Sequence, residues 1–211
     1  MEEVFKQIYH KNSWGSQETP SGDGSTLFNT SAIREELPLL SSELKIQSVL
    51  DIPCGDFHWM QEVAATIKEY HGADIVRELV ELNRMKYGSE QRTFLQLDIT
   101  NDNLPKVDLI LCRDCFVHFS FNHIFEALDN ILRSSSTYLL ATTFTDIEEN
   151  IDIVTGDWRP INLQQSPFHF PEPLRLIKEH RIWDGGECSD KALGLWRISD
   201  LPINRNTVTH L

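Results

Sequence analysis

The chain has 211 residues, 40% of them hydrophobic and 24% charged, with 19 basic against 32 acidic residues and a formal net charge of −13. That length suits one domain with a substantial core, and the composition is that of an ordinary globular protein. The negative field opposes polyanions, so neither nucleic acid nor an anionic membrane is an expected partner.

The first ten residues, "MEEVFKQIYH", carry acids where a signal peptide carries bases. No apolar stretch approaches the roughly 20 residues of a membrane span, so a cytoplasmic location is expected. Residues 2–10 read as a short helix, and "KNSWGSQETPSGDGST" (11–26) as a loop rich in turn formers. Trp14 in that loop either anchors a tail to the body or belongs to a lid over a ligand. A helix follows from Thr30, with Ser31 or Thr30 as its N-cap and apolar residues at 33, 37, 40 and 44. Pro38 inside it predicts a kink or two shorter pieces.

From there the pattern alternates. "IQSVLDI" (46–52) reads as a strand and "WMQEVAATIKEY" (59–70) as a helix; "HGADIV" (71–76) and "RELVELNRMKYG" (77–88) repeat the pair. "TFLQLDI" (93–99) and "VDLILCR" (107–113) are further strands, followed by the helix "FNHIFEALDNILRSS" and the strand "TYLLATTF" (137–144). Strands rich in Val, Ile and Leu between helices predict a parallel sheet covered on both faces. Residues 145–172 form a long polar, proline-punctuated loop, of the kind that is usually functional or disordered. "RLIKEHRIW" (175–183) and "ALGLWRI" (192–198), joined by turn chemistry, should pair antiparallel. The expected fold is α/β: a doubly wound, Rossmann-like three-layer sandwich, mostly parallel with an antiparallel late hairpin. Residues 1–45 would supply a lid loop and helix, and residues 46–211 the ligand-binding body of a single domain.

Four cysteines (Cys54, Cys112, Cys115, Cys188) do not make a disulfide framework. "CRDC" is a lone C-x-x-C without a second pair or spaced histidines, so buried reduced thiols are expected and no metal.

The chemistry follows from the acids. Asp51, Asp74 and Asp98 mark three successive strand ends, where open α/β sheets bind ligands. One such acid alone is as readily a helix cap. A dinucleotide needs a glycine-rich turn for its pyrophosphate, but after Asp51 the alternate positions are Pro53, Gly55 and Phe57, and Asp56 would repel phosphate. A cationic nucleoside suits the turn better. S-adenosylmethionine offers an ammonium, a sulfonium, a ribose diol and an adenine amine to carboxylates and carbonyls.

"VLDIPCGDF", "GADI" and "LQLDI" together resemble the class I S-adenosylmethionine-dependent methyltransferases over residues 46–145. Pro53 and Phe57 depart from the family's glycines, and "RSSST" stands where a Pro-Gly-Gly turn is often found. "YHKNSWGSQETPSGDGST" is similar to small bacterial methyltransferases associated with surface-polysaccharide chemistry. The resemblance implies that Gly55 lets the backbone approach the methionine portion and that Asp51 holds its ammonium. It implies that Asp74 takes the ribose hydroxyls, and Asp98 the adenine amine with Ile99 beside the ring. Cys112–Asp114 would line the methyl-transfer end; Pro53, Ile75 and Arg113 complete the expected donor set.

An alcohol acceptor also needs a proton sink. His118 is the first candidate and Asp114 the second, ahead of His58 and His169; His118 could equally be a packing residue at a helix start. A small-molecule acceptor should meet Trp14, Trp158, Arg159 and His169, although an ion pair of Arg159 with Asp157 or Asp152 is the plainer account. No Asn-Pro-Pro-aromatic motif follows the fourth strand, which favours oxygen or another small-molecule centre as the methylated atom; an oxygen of a sugar or sugar phosphate is the expected acceptor. The competing readings are a nicotinamide-dependent oxidoreductase and a non-catalytic nucleoside-binding module.

Overall fold

The computed structural model describes residues 1–179 and 190–202, and the backbone of 181–183 and 186–188. Its frame is a seven-stranded sheet. Strands β1 (Ser48–Asp51), β2 (Glu69–Asp74), β3 (Arg92–Gln96), β4 (Leu109–Cys112) and β5 (Tyr138–Phe144) run parallel. Strands β6 (Arg175–Lys178) and β9 (Lys191–Arg197) close one edge, with β9 antiparallel to both β5 and β6. The order is β3-β2-β1-β4-β5-β9-β6, so the chain reverses its winding between β1 and β4. The expected fold class is present.

Side-chain alternation explains why the sheet is buried on both faces. Leu50, Ile110, Cys112 and Leu139 point into one core with Ile124, Ala127, Leu128 and Ile131 of α4 (Phe121–Arg133). Val49, Leu109, Leu111 and Leu140 point into the other, which takes Ile33, Leu37 and Leu40 of α2 (Ser31–Leu44) and Val80 of α3 (Arg77–Tyr87). Helix α2 is therefore built into the core. The part of residues 1–45 that lies over the sheet's ligand edge is α1 (Glu2–His10) and the loop after it.

Three local expectations need correction. Pro38 does not divide α2 into two shorter pieces, one of the two outcomes expected of it: α2 is one 14-residue helix, its apolar stripe seated in the core on both sides of the proline. Residues 59–70 are not a helix. Strand β2 already begins at Glu69, and two 3-10 turns, Met60–Glu62 and Ala64–Thr66, precede it. Met60, Val63, Ala64 and Ile67 are buried from these tight turns, so tertiary packing overrides helix propensity here. Finally, β6 and β9 pair antiparallel as expected, but they are not joined by a simple turn. The segment between them forms a second ribbon, β7 (Arg181–Trp183) with β8 (Gly186–Cys188). The side chain of Cys188 lies outside the described residues; Cys54, Cys112 and Cys115 are buried free thiols.

Candidate active site

The reversal between β1 and β4 splays the two following loops and opens a cleft beyond the strands' carboxyl ends. Asp51, the last residue of β1, and Asp74, the last of β2, both line it, and both side chains are nearly inaccessible, at 3% and 5% exposure. Parallel register fixes them there: Asp51 lies beside Gly72 and Leu111, Asp74 beside Gln96. Tyr70 Oη donates to Asp51 at 2.7 Å. The Asp74 carboxylate accepts from the Gly55 N–H at 3.1 Å and the Val76 N–H at 2.9 Å, one on each oxygen. An ionised carboxylate has about four acceptor directions, so both oxygens of Asp74 retain capacity for a ligand's hydroxyls.

Burial is the largest influence on both acids. It pushes Asp51 up to about 7, against the opposing effects of the Tyr70 hydroxyl and the Arg113 charge, and Asp74 up to about 6, against the backbone N–H groups of Val76, Gly55 and Ile75. Two desolvated acids in one cleft are the complement of a buried cation. Asp98, two residues past β3, also lines the cleft. One of its oxygens accepts from the Thr100 N–H and hydroxyl, which fixes its direction.

The turn after β1 is the part that discriminates between ligands. Its peptide Ile52–Pro53 is cis, and Gly55 has φ +54°, a conformation glycine adopts without strain. Its N–H groups are already engaged within the protein: Cys54 with the Ala73 carbonyl, Gly55 with Asp74, Asp56 with Ser21 Oγ, Phe57 with the Cys54 carbonyl. A pyrophosphate would need those amides. The turn therefore offers no spare amide to a pyrophosphate, while the acids of the cleft complement a positive charge. Asp51, Pro53, Gly55, Asp74, Ile75, Asp98, Ile99, Arg113 and Cys115 all face the same cleft and would hold S-adenosylmethionine.

The far end of the cleft is aromatic. Trp14 stacks on His118 with ring centroids 4.1 Å apart, and Phe5 packs on both Trp14 and Phe119. His118 ends a short 3-10 turn after β4. Its Nδ1 lies 2.9 Å from the Asp157 carbonyl oxygen, which can only accept, so Nδ1 carries the proton and Nε2 is the basic nitrogen of the neutral ring.

Several expected residues lie elsewhere. Arg159 is buried and turned inward: Nε, Nη1 and Nη2 donate to the carbonyls of Ile151, Phe116 and Phe119, and Phe121 lies 5.6 Å from its guanidinium carbon. Burial lowers it to about 10, with Asp152 opposing, yet it forms neither of the ion pairs considered for it and does not reach the cleft. Trp158 packs edge-on against Phe144, and His169 is exposed with φ +50°; neither lines the cleft. Cys112 points into the core, whereas Arg113, Asp114 and Cys115 are at the surface of the cleft.

Asp114 is in the cleft but badly placed as a base. Lys191 Nζ approaches its Oδ2 to 2.8 Å and Arg113 Nη1 to 3.1 Å, and both cations also pair with buried Glu179. Protonating Asp114 would unbalance that four-charge cluster. His58 is bound to Glu18 at 2.7 Å. Burial holds the thiols of Cys54 and Cys115 protonated, well away from nucleophilic use.

Other contributors carry no local signal in the sequence. Tyr70 and Trp59 carry no motif: Tyr70 reaches Asp51 from two residues behind Gly72, its strand partner, and Trp59 lies 5.6 Å from the Arg113 guanidinium. Met1, Phe5, Ile8 and Tyr9 also line the cleft. Their helical spacing was visible, but it looks like an ordinary core-facing stripe.

Residues 49–136 match a family model described as a methyltransferase domain. No curated protein matches the chain. Among solved structures, the chain is similar to the 1,6-didemethyltoxoflavin-N1-methyltransferase of Burkholderia thailandensis with bound 1,6-didemethyltoxoflavin and S-adenosylhomocysteine, at 15% identity and TM-score 0.61, covering 93% of this chain and 86% of that one. It is similar to the N-methyltransferase NodS of Bradyrhizobium japonicum WM9 in complex with S-adenosylhomocysteine, at 13% identity and TM-score 0.61, over 91% and 97% of the two chains. It is also similar to the magnesium protoporphyrin IX methyltransferase of Synechocystis PCC 6803 with bound S-adenosylmethionine, at 12% identity and TM-score 0.60, over 93% and 96%. At these identities the likeness is one of fold.

The chain has the Rossmann-like fold of these methyltransferases, and its residues 49–136 match the methyltransferase-domain model.

Proposed function

We propose that the protein is an S-adenosylmethionine-dependent methyltransferase that acts on an oxygen of a small uncharged acceptor, a sugar hydroxyl being the leading class, with His118 as the proton acceptor. The observation that carries the reading is the meeting of buried Asp51 and Asp74 with the His118 imidazole in one cleft. In this reading Asp51 binds the donor's ammonium, Asp74 its ribose hydroxyls and Asp98 its adenine amine.

When bound, S-adenosylmethionine supplies a methyl group already activated by positively charged sulfur. The chain's task is then placement, where holding two reactants in line supplies about 7–11 kcal/mol. Trp14, Trp59, Phe5 and Phe119 give the acceptor end aromatic walls on which a sugar's C–H face or a flat ring can rest. His118 takes the hydroxyl proton on Nε2 while the Asp157 carbonyl keeps Nδ1–H in place.

The phosphorylated alternative loses its support. Arg159 is turned away, and Arg113, the cation lining the cleft among the described residues, is held by Glu179 and Asp114. The cleft also carries five carboxylates, from Asp51, Asp56, Asp74, Asp98 and Asp114, which oppose an anionic acceptor. We place the protein in the cytoplasm, apart from nucleic acid; no helix among the described residues is long and apolar enough to cross a membrane.

The test is to incubate the protein with methyl-labelled S-adenosylmethionine and a panel of neutral sugars, hydroxylated rings and their phosphates. Label should appear on the oxygen of a neutral acceptor and disappear in His118→Ala. Nitrogen methylation, preference for the phosphate, or full turnover without His118 contradicts the proposal.

A further inference from the structure

We infer that the segment Trp14–Ser25 is a fixed wall of the donor site and that Asp56 is the positioning residue that seats it. This rests on the donor reading above and extends it to residues outside the matched domain.

The second acid of the β1 turn, Asp56, finds its partners in the N-terminal segment. Thr19 Oγ1 donates to Asp56 Oδ2 at 2.9 Å and Ser21 Oγ donates to Oδ1 at 2.7 Å. The Asp56 N–H in turn donates to Ser21 Oγ at 3.0 Å, and the Ser21 N–H to Thr19 Oγ1 at 3.0 Å. Both oxygens of Asp56 thus receive hydroxyls from the N-terminal segment, as charge-assisted bonds. Asp56 is turned toward the segment, which leaves the donor's positive end to Asp51.

A second anchor holds the same segment from the opposite side of the cleft. Arg113, buried after β4, donates from Nη2 to the Gly24 carbonyl at 2.8 Å. A side chain at position 24 would meet Asp114 Oδ2 at 3.0 Å, so glycine is what lets the backbone come this close. Glu18 adds a third tie, accepting from His58 at 2.7 Å and the Leu27 N–H at 2.6 Å. The segment is therefore tied to the loops after β1 and β4, the two that the switch point splays apart.

Seated this way, Trp14, Pro20, Ser21 and Ser25 face the cleft. Ser21 Oγ stands 2.4 Å from where a Cβ on Gly55 would be, while the Gly55 N–H is bonded to Asp74. The wall thus touches the glycine of the donor turn and, through Trp14, the ring of His118. Donor binding and seating of the segment are linked equilibria.

The experiment combines amide exchange by mass spectrometry on the full chain with calorimetric titration of S-adenosylhomocysteine. It compares wild type with Asp56→Ala, Asp56→Asn and Ser21→Ala. In Asp56→Ala, peptides spanning residues 16–25 should exchange at least about tenfold faster while β1–β5 keep their protection, and affinity should fall roughly tenfold or more, as for loss of charge-assisted hydrogen bonds. Asp56→Asn, which keeps one acceptor oxygen, should fall between and partly restore both readouts. Ser21→Ala should lower affinity with less loosening, because Thr19 still holds Asp56. Unchanged exchange over 16–25 in Asp56→Ala overturns the seating role, and unchanged affinity in all three variants overturns the wall. A wild type that does not bind S-adenosylhomocysteine overturns the donor reading itself, and with it the wall.

Discussion

The rim formed by the ends of β1, β2 and β3 and the loop of residues 145–172 both offered charged and aromatic side chains to a ligand, and the structure uses them in opposite ways. The rim sends Asp51, Asp74 and Asp98 into the cleft. The loop turns inward: Ile161, Leu163, Phe168 and Phe170 enter the core beneath α4, and Arg159 ties three carbonyls together. The Asn150 side chain donates to the Asn162 carbonyl and accepts from the Asn162 N–H, and Asp152 accepts the first N–H of α4. A residue that ends a parallel strand inherits its direction from the register, and at a switch point that direction is the ligand's. A loop residue inherits nothing, and a long loop over a core must first satisfy its own backbone. The same residue types therefore mean different things in the two places.

The widest separation between the two regions should appear in catalysis. Once the acceptor is in hand, His118→Ala should lower kcat by about 10²–10⁴-fold, the usual contribution of a general base. S-adenosylhomocysteine affinity, measured by calorimetry, should hardly move.

Arg159→Met probes the other region. Three carbonyls lose a charged donor, so chemical denaturation should show a loss of about 3 kcal/mol, with donor affinity intact. If stability holds and acceptor KM rises instead, the loop belongs to the site and the contrast fails.

The pH dependence sharpens the rim's part. Asp51, raised to about 7, faces the Tyr70 hydroxyl, the Arg113 guanidinium and Asp74; Asp74 is itself raised to about 6. The folded protein keeps these protons where the unfolded chain has released them. The stability they contribute is thus present at the acid side and lost as pH rises through about 6 to 7. Melting temperature of the free protein should rise on going from about pH 8 to pH 5. Affinity for S-adenosylhomocysteine should move the other way, weakening roughly tenfold as Asp51 takes up a proton and no longer attracts the ammonium. The two curves would have to share a direction to contradict this assignment.

Tyr70→Phe is the mildest change. It removes one donor from Asp51, and about a fivefold weaker S-adenosylhomocysteine affinity is expected, equivalent to a single hydrogen bond.

Much of this architecture was legible in the sequence. The apolar run ending in Asp51 made strand and direction legible together, because one pattern serves burial and placement, whereas the strand ending in Asp74 contains no Val, Ile or Leu and was legible from its place in the alternation of elements. Residues 59–70 misled because helix periodicity does not distinguish a helix from two tight turns that bury Met60, Val63 and Ile67. The partners of Asp56 were hidden for another reason: Thr19 and Ser21 are 37 and 35 residues away along the chain. No local rule connects them. Lys191 and Glu179 escaped likewise, since a buried ion cluster is assembled by β6 and β9 meeting β4 only in three dimensions.

The assignment of the rim is tested most directly by titrating S-adenosylhomocysteine into the wild type and Asp74→Ala in a calorimeter, with circular dichroism to verify the fold. One-to-one binding by the wild type, with affinity at least about 30-fold weaker in the variant, is the predicted result, the size expected for hydrogen bonds to a charged group. Equal affinities in two folded proteins would contradict it.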